Sequence, residues 1–251
     1  MIGFSFVRTR RFSSVSIALA MAALSATGLS AKGYTFDHST FGRLLGRSVS
    51  GGRVNYAYFQ TQPLFDLYLA SLATATPDRL ATDDRLAFWI NAYNALTIRN
   101  VLDNRGMRRA TDVAGFFDKK KFTVAGRSLT LNDIENTIIR PQFKEPLIHF
   151  GLVCAAVNCP PLLSHAYSGK TVRKELADNA RAYLASSYNR FDSRTRTLHL
   201  SKIFEWYKGD FGGDAGIRTF VRKYGTTEMQ NSVTATTPIV SLEYDWSLNS
   251  R

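Results

Sequence analysis

Apolar residues recur at helical spacing along most of the chain, and this pattern predicts a mainly helical protein. The strongest prediction is a helix over the segment 82–104, with Thr82 or Asp83 as its N-cap. Its apolar face would consist of Leu86, Trp89 or Ile90, Tyr93, Thr97 and Val101. Shorter helices are predicted in the segments 37–49, 62–75, 129–140, 168–187, 201–211 and 214–225. The helix in 201–211 would begin after a capping Ser201, and the last helix would end at Gly225.

Five segments have the pattern of extended chain, one of which, residues 195–200, leads into the helix capped by Ser201. Residues 120–130 alternate on both sides of Ala125-Gly126, which predicts a β-hairpin, and residues 51–56 predict a turn into a short strand. The nearly continuous apolar run after Pro146 predicts a strand over 147–154 that is buried on both faces. Residues 238–249 alternate like a half-exposed strand.

The order of these elements predicts the fold class. Helices outnumber strands, and no repeat, low-complexity linker or glycine- and proline-rich boundary divides residues 32–251. We therefore predict that residues 32–251 form a single α+β domain, mostly helical, with a small mixed sheet.

The first 31 residues have the pattern of a signal peptide. Arg8, Arg10 and Arg11 precede an apolar run without any acidic residue, and small residues suited to cleavage follow the run. The apolar run is shorter than the roughly 20 residues that a membrane span needs. The sequence therefore predicts export to the periplasm or the extracellular space, with no transmembrane span in the mature chain.

The charge of the chain suggests a class of partner. The sequence has 32 Lys and Arg against 20 Asp and Glu, a formal net charge of +12, with basic clusters at 105–109 and 119–121. Such a surplus attracts an anionic envelope component, or it is simply the solvated face of a basic exported protein. A peptide is the other ligand to consider. Nucleic acid is not expected, because the sequence has no helix-turn-helix, zinc-finger or aromatic-basic RNA motif.

Both cysteines lie in the stretch IHFGLVCAAVNCPP. In an oxidising compartment Cys154 and Cys159 favour a short disulfide, which would contribute only about 2 kcal/mol because the loop is small. The alternatives are a thiolate nucleophile, with His149 as its base and Glu135 or Asp133 orienting the imidazole, or two inert buried thiols. Two cysteines and one histidine at irregular spacing form a weak metal set, so neither a metal nor another cofactor is expected.

Strand parity predicts which of these side chains meet. In a strand over 147–154, His149 and Cys154 would face opposite sides. We therefore predict that the sulfurs of Cys154 and Cys159 lie together at the mouth of the loop. His149 would then point towards Glu135 and the long helix.

Four of the candidate residues also have purely structural explanations. His149 could be a core histidine bonded to a backbone carbonyl, and Glu135 could be the third residue of a capping box. Asn91 and Asn94 share one face of an otherwise apolar helix. If these asparagines are buried, their amides must pair either with neighbouring loops or with a ligand.

Several long motifs occur in an order that resembles domain-of-unknown-function family 547 (DUF547). They are GGRVNYAYF, LAFWINAYNALTI, FTVAGRSLTLNDIEN with IIR, IHFGLVCAAVNCPPL, LSKIFEWYKGDF and YDWSLN. The resemblance covers nearly all of residues 32–251 and implies a single-domain, exported bacterial member. It implies no particular activity, but the family's pattern has the same residue types at Asn91, Asn94, Glu135, His149, Cys154 and Cys159.

Two hypotheses for function follow. In the first, the protein is a thiol-dependent hydrolase or transferase with a site formed by cysteine, histidine and glutamate. In the second, it is a non-catalytic envelope binding or scaffold module, whose pocket is shaped by a Cys154–Cys159 disulfide. The thiol state distinguishes them, because thiol chemistry needs at least one free thiolate.

Overall fold

The computed structural model describes Met1, Gly3 and residues 33–251. The predicted signal peptide thus lies outside the described residues, apart from Met1 and Gly3. Residues 33–251 form one unit. Of the helices described, none is both long and apolar enough to cross a membrane.

Helices make up about half of this unit and far outweigh the strands, as the sequence predicts. The α-helices are α1 (Ser39–Ser48), α2 (Tyr56–Gln60), α3 (Pro63–Ala73), α4 (Thr82–Asp103), α5 (Arg140–Phe143), α6 (Val172–Leu184), α7 (Lys202–Trp206), α8 (Gly213–Tyr224) and α9 (Thr227–Ser232). Tighter or wider helical turns occupy Pro77–Arg79, Ala110–Asp112 and Pro146–Phe150, which are 3₁₀-helices, and Asp133–Ile139, which is a π-helix.

The strands are short and fall into three groups. Two are antiparallel hairpins, β1 (Val49–Ser50) with β2 (Arg53–Val54) and β3 (Phe122–Val124) with β4 (Arg127–Leu129). In the third group, β6 (Thr197–Leu200) pairs antiparallel with β5 (Arg190–Asp192) and parallel with β7 (Ile239–Ser241). The predicted α+β fold with a small mixed sheet is confirmed.

Local signals account for several of these elements. The predicted hairpin turns at Ala125 and Gly126, whose φ angles of 53° and 69° suit the tight turn that joins twisted strands. Ser201 caps α7 by accepting a hydrogen bond from the backbone N–H of Ile203, as predicted. Gly225 is the C-cap of α8, also as predicted.

Helix α4 runs through the core and is buried on every side. Between Leu86 and Leu102 every residue except Arg99 is buried, because α2, α3, α6 and the π-helix pack around it. The predicted apolar face is therefore only part of its buried surface. The predicted caps are wrong, since the N-cap residue is Ala81 and no side chain bonds there.

The predicted strand over 147–154 is wrong. Its first half is the 3₁₀-helix Pro146–Phe150, and the chain from Leu152 to Cys154 is irregular. An apolar run does not by itself distinguish a buried strand from another buried segment. Here the backbone polar groups pair with side chains instead of a neighbouring strand.

Buried asparagines provide that pairing. The Asn94 amide donates to the Gly151 carbonyl and accepts from the Val153 N–H, each at 2.9 Å. Asn91 pairs in the same way with both backbone groups of Tyr167, also at 2.9 Å. The two asparagines therefore hold irregular chain against α4.

The predicted C-terminal strand is only partly formed. After β7 the chain continues as residues 242–251, which we call the C-terminal strap. Backbone hydrogen bonds hold the strap to residues 154–159, which we call the cysteine loop. The Val157 N–H donates to the Ser247 carbonyl at 2.8 Å, and the Asn249 N–H donates to the Ala155 carbonyl at 2.9 Å. The strap thus lies beside the two cysteines without forming a regular sheet.

The pairing of Asn94 predicts a stability effect. Asn94→Ala leaves a buried carbonyl and a buried N–H without partners, so unfolding in denaturant should show a loss of about 1–3 kcal/mol. Asn231→Ala is the control, because Asn231 is exposed in α9, and it should change the free energy of unfolding by less than about 0.5 kcal/mol. Equal effects of the two substitutions would contradict the bracing role of Asn94.

Candidate functional site

A cavity of about 350 Å³ brings most of the predicted site residues together. Glu135, His149, Cys154 and Cys159 all line it. The rest of the lining is largely aromatic and consists of Tyr93, Phe117, Asp118, Asn132, Leu152, Pro160, Ile203, Trp206, Tyr207, Tyr244 and Trp246. We call this cavity the cleft.

The π-helix positions Glu135. Its start is fixed by reciprocal hydrogen bonds, in which the Asp133 N–H donates to the Thr130 hydroxyl and the Thr130 N–H donates to the Asp133 carboxylate. Thr130 and Asp133 thus form the capping box, so Glu135 is not needed as a cap. Its side chain is buried and lines the cleft instead.

The 3₁₀-helix Pro146–Phe150 positions His149. The imidazole stacks on the ring of Tyr207, with centroids 3.7 Å apart and planes inclined by 19°. Its Nε2 lies 2.8 Å from a carboxylate oxygen of Asp210, and its Nδ1 lies 3.9 Å from a carboxylate oxygen of Glu135. His149 therefore lies between two carboxyl groups and points towards Glu135, as predicted. The prediction that it faces away from Cys154 is wrong, because both side chains line the cleft.

Asp210 is itself fixed by Arg140. The guanidinium makes a bidentate salt bridge with the Asp210 carboxylate, in which Nε donates at 2.6 Å and Nη2 donates at 2.8 Å. The guanidinium also donates to Asn136 at 2.7 Å and lies over the ring of Tyr207. A paired guanidinium and carboxylate of this kind has fixed geometry, so it orients the imidazole of His149 as well.

The protonation of His149 follows from these contacts. The Arg140 guanidinium holds the pKa of Asp210 below its usual range, so Asp210 is an acceptor and the proton of the neutral imidazole lies on Nε2. Burial lowers the pKa of His149 to about 4, which outweighs the opposing effect of Asp210. At neutral pH the free lone pair is therefore on Nδ1, the nitrogen nearer Glu135.

The pKa of Glu135 is shifted in the opposite direction, upwards. Burial raises the pKa of its carboxyl, although interactions with the hydroxyls of Tyr207 and Tyr93 and the charge of Arg140 act to lower it. Among the described residues, no lysine or arginine makes a salt bridge with Glu135. The cleft thus holds a neutral imidazole beside a carboxyl group without a cationic partner.

The two sulfurs form a disulfide, with their Cα atoms 6.2 Å apart. The prediction that they lie together is confirmed, although the strand from which it was argued is absent. The Tyr244 hydroxyl lies 3.3 Å from the sulfur of Cys154 and 3.4 Å from that of Cys159. The disulfide therefore forms part of the cleft wall and contacts the C-terminal strap.

Three aromatic side chains form the outer wall of the cleft. Trp206 ends α7, and Tyr244 and Trp246 come from the C-terminal strap. Their ring centroids are 4.8–5.5 Å apart and their planes are inclined by 32–58°. Trp206 is 44% exposed, an unusual position for so large an apolar side chain. The rings therefore present a solvent-accessible aromatic surface.

Asn91 and Asn94, which the sequence suggested as ligand-binding residues, do not line the cleft. Their amides bond to backbone groups, and Asn94 holds Gly151 and Val153 between His149 and Cys154. Asp210 and Arg140, which are 70 residues apart in the chain, were not predicted from the sequence. Asp210 lies in the quoted motif LSKIFEWYKGDF, but no local spacing links it to His149.

Within the part of the chain that the structure describes, no group of three or more His, Cys, Asp or Glu side chains is arranged to hold a metal ion. The residues of the cleft offer chemistry of their own. It consists of aromatic stacking, hydrogen bonding by phenol hydroxyls, and proton exchange at His149 and Glu135.

One family model matches this chain. The model for DUF547, described as a protein of unknown function, matches residues 77–184. This segment includes α4, the π-helix, His149 and both cysteines, so these parts of the site are similar to that family. Comparisons with curated proteins and with solved structures find no match.

The buried imidazole predicts a pH dependence. His149 accepts a proton near pH 6.5 in the unfolded chain but only near pH 4 in the folded protein, so its stabilising effect is complete above pH 6.5 and decreases as the pH falls towards 4. His149→Gln keeps an N–H near Asp210 but cannot titrate. Between pH 7 and pH 5 it should lose roughly 2 kcal/mol less stability than the wild type.

The measurement is denaturant unfolding of both proteins at the two pH values. Glu135 is present in both, so the difference between them reports the histidine. His38→Gln should reduce the loss of stability between pH 7 and pH 5 by a similar amount, because burial also lowers the pKa of His38 to about 4. If wild type and His149→Gln lose the same stability on acidification, His149 is not held neutral.

Proposed function

We propose that the protein binds a small organic molecule in the cleft. One observation carries this proposal: a single cavity combines an exposed aromatic wall with a buried imidazole that Asp210 and Arg140 hold in place. The aromatic wall provides area for an apolar or flat face of the ligand. His149, Glu135 and the tyrosine hydroxyls provide polar contacts at the inner end.

The dimensions and lining of the cleft support binding. Sites for small molecules are concave, about 300–1,000 Å³ in volume, and lined by aromatic groups with a few polar groups. The cleft has about 350 Å³ and meets each of these conditions. The disulfide supports a binding role further, because it fixes one wall without requiring a free thiol.

The cellular location is part of the same proposal. We infer that the protein is an exported bacterial member of DUF547, located in the periplasm or outside the cell. The signal-peptide pattern of residues 1–31 supports export, and a disulfide in the folded domain is typical of an oxidising compartment. The anionic envelope component and the peptide stay predictions from the sequence.

A second candidate function is a thiol-dependent hydrolase or transferase. It is favoured by the fact that the disulfide, His149 and Glu135 line one cavity. Chemistry of this kind would first require an external dithiol to reduce the Cys154–Cys159 bond. One freed thiol would then pass its proton to His149 and attack an acyl carbon. As the bond between that carbon and the leaving group breaks, the leaving group would take up the proton from His149. We rank it second because both sulfurs are bonded to each other.

The binding proposal predicts a ligand response that depends on the aromatic wall. Tryptophan fluorescence and thermal unfolding would be followed with four probes: choline, an amino acid, N-acetylglucosamine and benzoate. At 100 times its dissociation constant, a bound probe should stabilise the wild type by about 2.7 kcal/mol, which corresponds to several degrees in Tm.

The control variants locate the response. Trp206→Ala should abolish or strongly weaken it, because the ring contributes directly to the cleft wall. Leu67→Ala should keep it, because Leu67 is 64% exposed on α3 and lies outside the cleft lining. A saturable response that Trp206→Ala leaves unchanged would place the ligand elsewhere, and no response to any probe would contradict binding.

Thiol state and export can be checked in one measurement. Protein purified from the envelope fraction would be alkylated without reduction and its intact mass determined. We expect no alkyl group at Cys154 or Cys159, and a mass that corresponds to a chain beginning between Ala26 and Gly33. Alkylation of both sulfurs in the native protein would favour the thiol enzyme, whereas a chain that retains Met1 would contradict export.

A further inference from the structure

We propose that the ligand of the cleft carries an alkylated ammonium group, such as the trimethylammonium group of choline. This inference rests on the proposed binding function and specifies the chemistry of its ligand. It is argued from the charge of the cleft, the arrangement of its rings and the state of Glu135.

The charge of the cleft is opposite to that of the chain. The whole sequence has a net charge of +12, yet the cleft lining contains the carboxyl groups of Asp118 and Glu135 and neither lysine nor arginine. The Arg140 guanidinium, whose charge acts on Glu135, is not in the lining and is engaged with Asp210. An anionic ligand would therefore meet two acidic groups and find no free positive partner.

The rings favour a cation with an apolar surface. Six of the lining side chains are aromatic, namely Tyr93, Phe117, Trp206, Tyr207, Tyr244 and Trp246. Trp206, Tyr244 and Trp246 are inclined to each other by 32–58°, so they do not lie in one parallel stack. Aromatic faces attract cations, and sets of such faces recognise quaternary ammonium groups.

Glu135 adds an unbalanced buried acid. Its exposed fraction is 6%, and its polar neighbours are the hydroxyls of Tyr93 and Tyr207 and the neutral imidazole of His149. A buried carboxylate without a cationic partner is costly, and an ammonium group in the cleft would offset that cost.

An inorganic cation suits the cleft less well. Calcium and magnesium are bound by several oxygen ligands at short distances. Among the described residues, no cluster of three acidic, histidine or cysteine side chains is arranged for such a role. The aromatic side chains supply mainly apolar faces, and their phenol hydroxyls are neutral rather than carboxylate oxygens, so an organic cation is the better fit.

The decisive comparison uses choline and 3,3-dimethyl-1-butanol, which have the same shape and differ in charge. Isothermal titration of the mature protein should show that choline binds about tenfold more tightly or better, as expected for cation–π attraction with a desolvated ion. Glu135→Gln should weaken choline binding about tenfold and leave binding of the neutral analogue unchanged.

Two further variants keep the test decisive if Glu135→Gln folds poorly. Asp118→Asn removes the exposed acid at the rim and should weaken choline binding by a smaller factor of about two to three. Val240→Ser changes an exposed residue outside the cleft and should have no effect.

The outcomes separate this inference from the proposed function. Equal affinity for the two analogues, or binding of N-acetylglucosamine without binding of choline, would refute the ammonium ligand and keep a small-molecule cleft. The absence of binding by choline, the neutral analogue and all the other probes would refute both.

Discussion

The carboxylate of Asp210 is the contact on which the site depends. It accepts from the guanidinium of Arg140 on one side and from the imidazole of His149 on the other. Arg140 belongs to α5, His149 to the following 3₁₀-helix, and Asp210 to the turn between α7 and α8. This one interaction therefore ties three segments together and sets the protonation of the imidazole.

Asp210 is only partly buried, and its pairing with the Arg140 guanidinium keeps it ionised beside the buried imidazole. His149 packs against Tyr207, and a charged imidazole there would lose hydration without enough compensation. The neutral form needs one acceptor for its N–H, and Asp210 supplies it. The second nitrogen, Nδ1, faces Glu135. The ionised Asp210 therefore determines which nitrogen of His149 carries the proton and which one offers a lone pair at the inner end of the cleft.

The opposite wall of the cleft is irregular chain, and it too is held by specific contacts. The disulfide closes the cysteine loop, the strap bonds to the loop through backbone groups, and Tyr244 contacts both sulfurs. Asn94 fixes the chain just before Cys154. A wall built in this way depends on individual hydrogen bonds rather than on a sheet, so single substitutions can change the shape of the cleft.

Periodicity was enough to predict α1, α3, α4, α6, α7, α8 and the β3–β4 hairpin, and the local sequence predicted the Ser201 cap. These features depend on residues close together in the chain. The supposed strand at 147–154 failed because an apolar run shows burial but not backbone conformation, and buried asparagines from α4 supplied the hydrogen bonds that a sheet would have supplied. Asp210 and the aromatic wall were missed because they come from distant segments that only the tertiary fold brings to His149.

The central claim is that His149 is a neutral imidazole with its proton on Nε2, held there by Asp210. It can be tested directly by ¹⁵N NMR of the histidine side chains in the wild type and in Asp210→Asn, across the range from pH 7.5 to 4. We expect a single Nε2–H tautomer for His149 that persists well below pH 6.5 in the wild type, and a changed tautomer population in Asp210→Asn. A proton on Nδ1 at neutral pH, or titration of His149 near pH 6.5 like an exposed histidine, would contradict it.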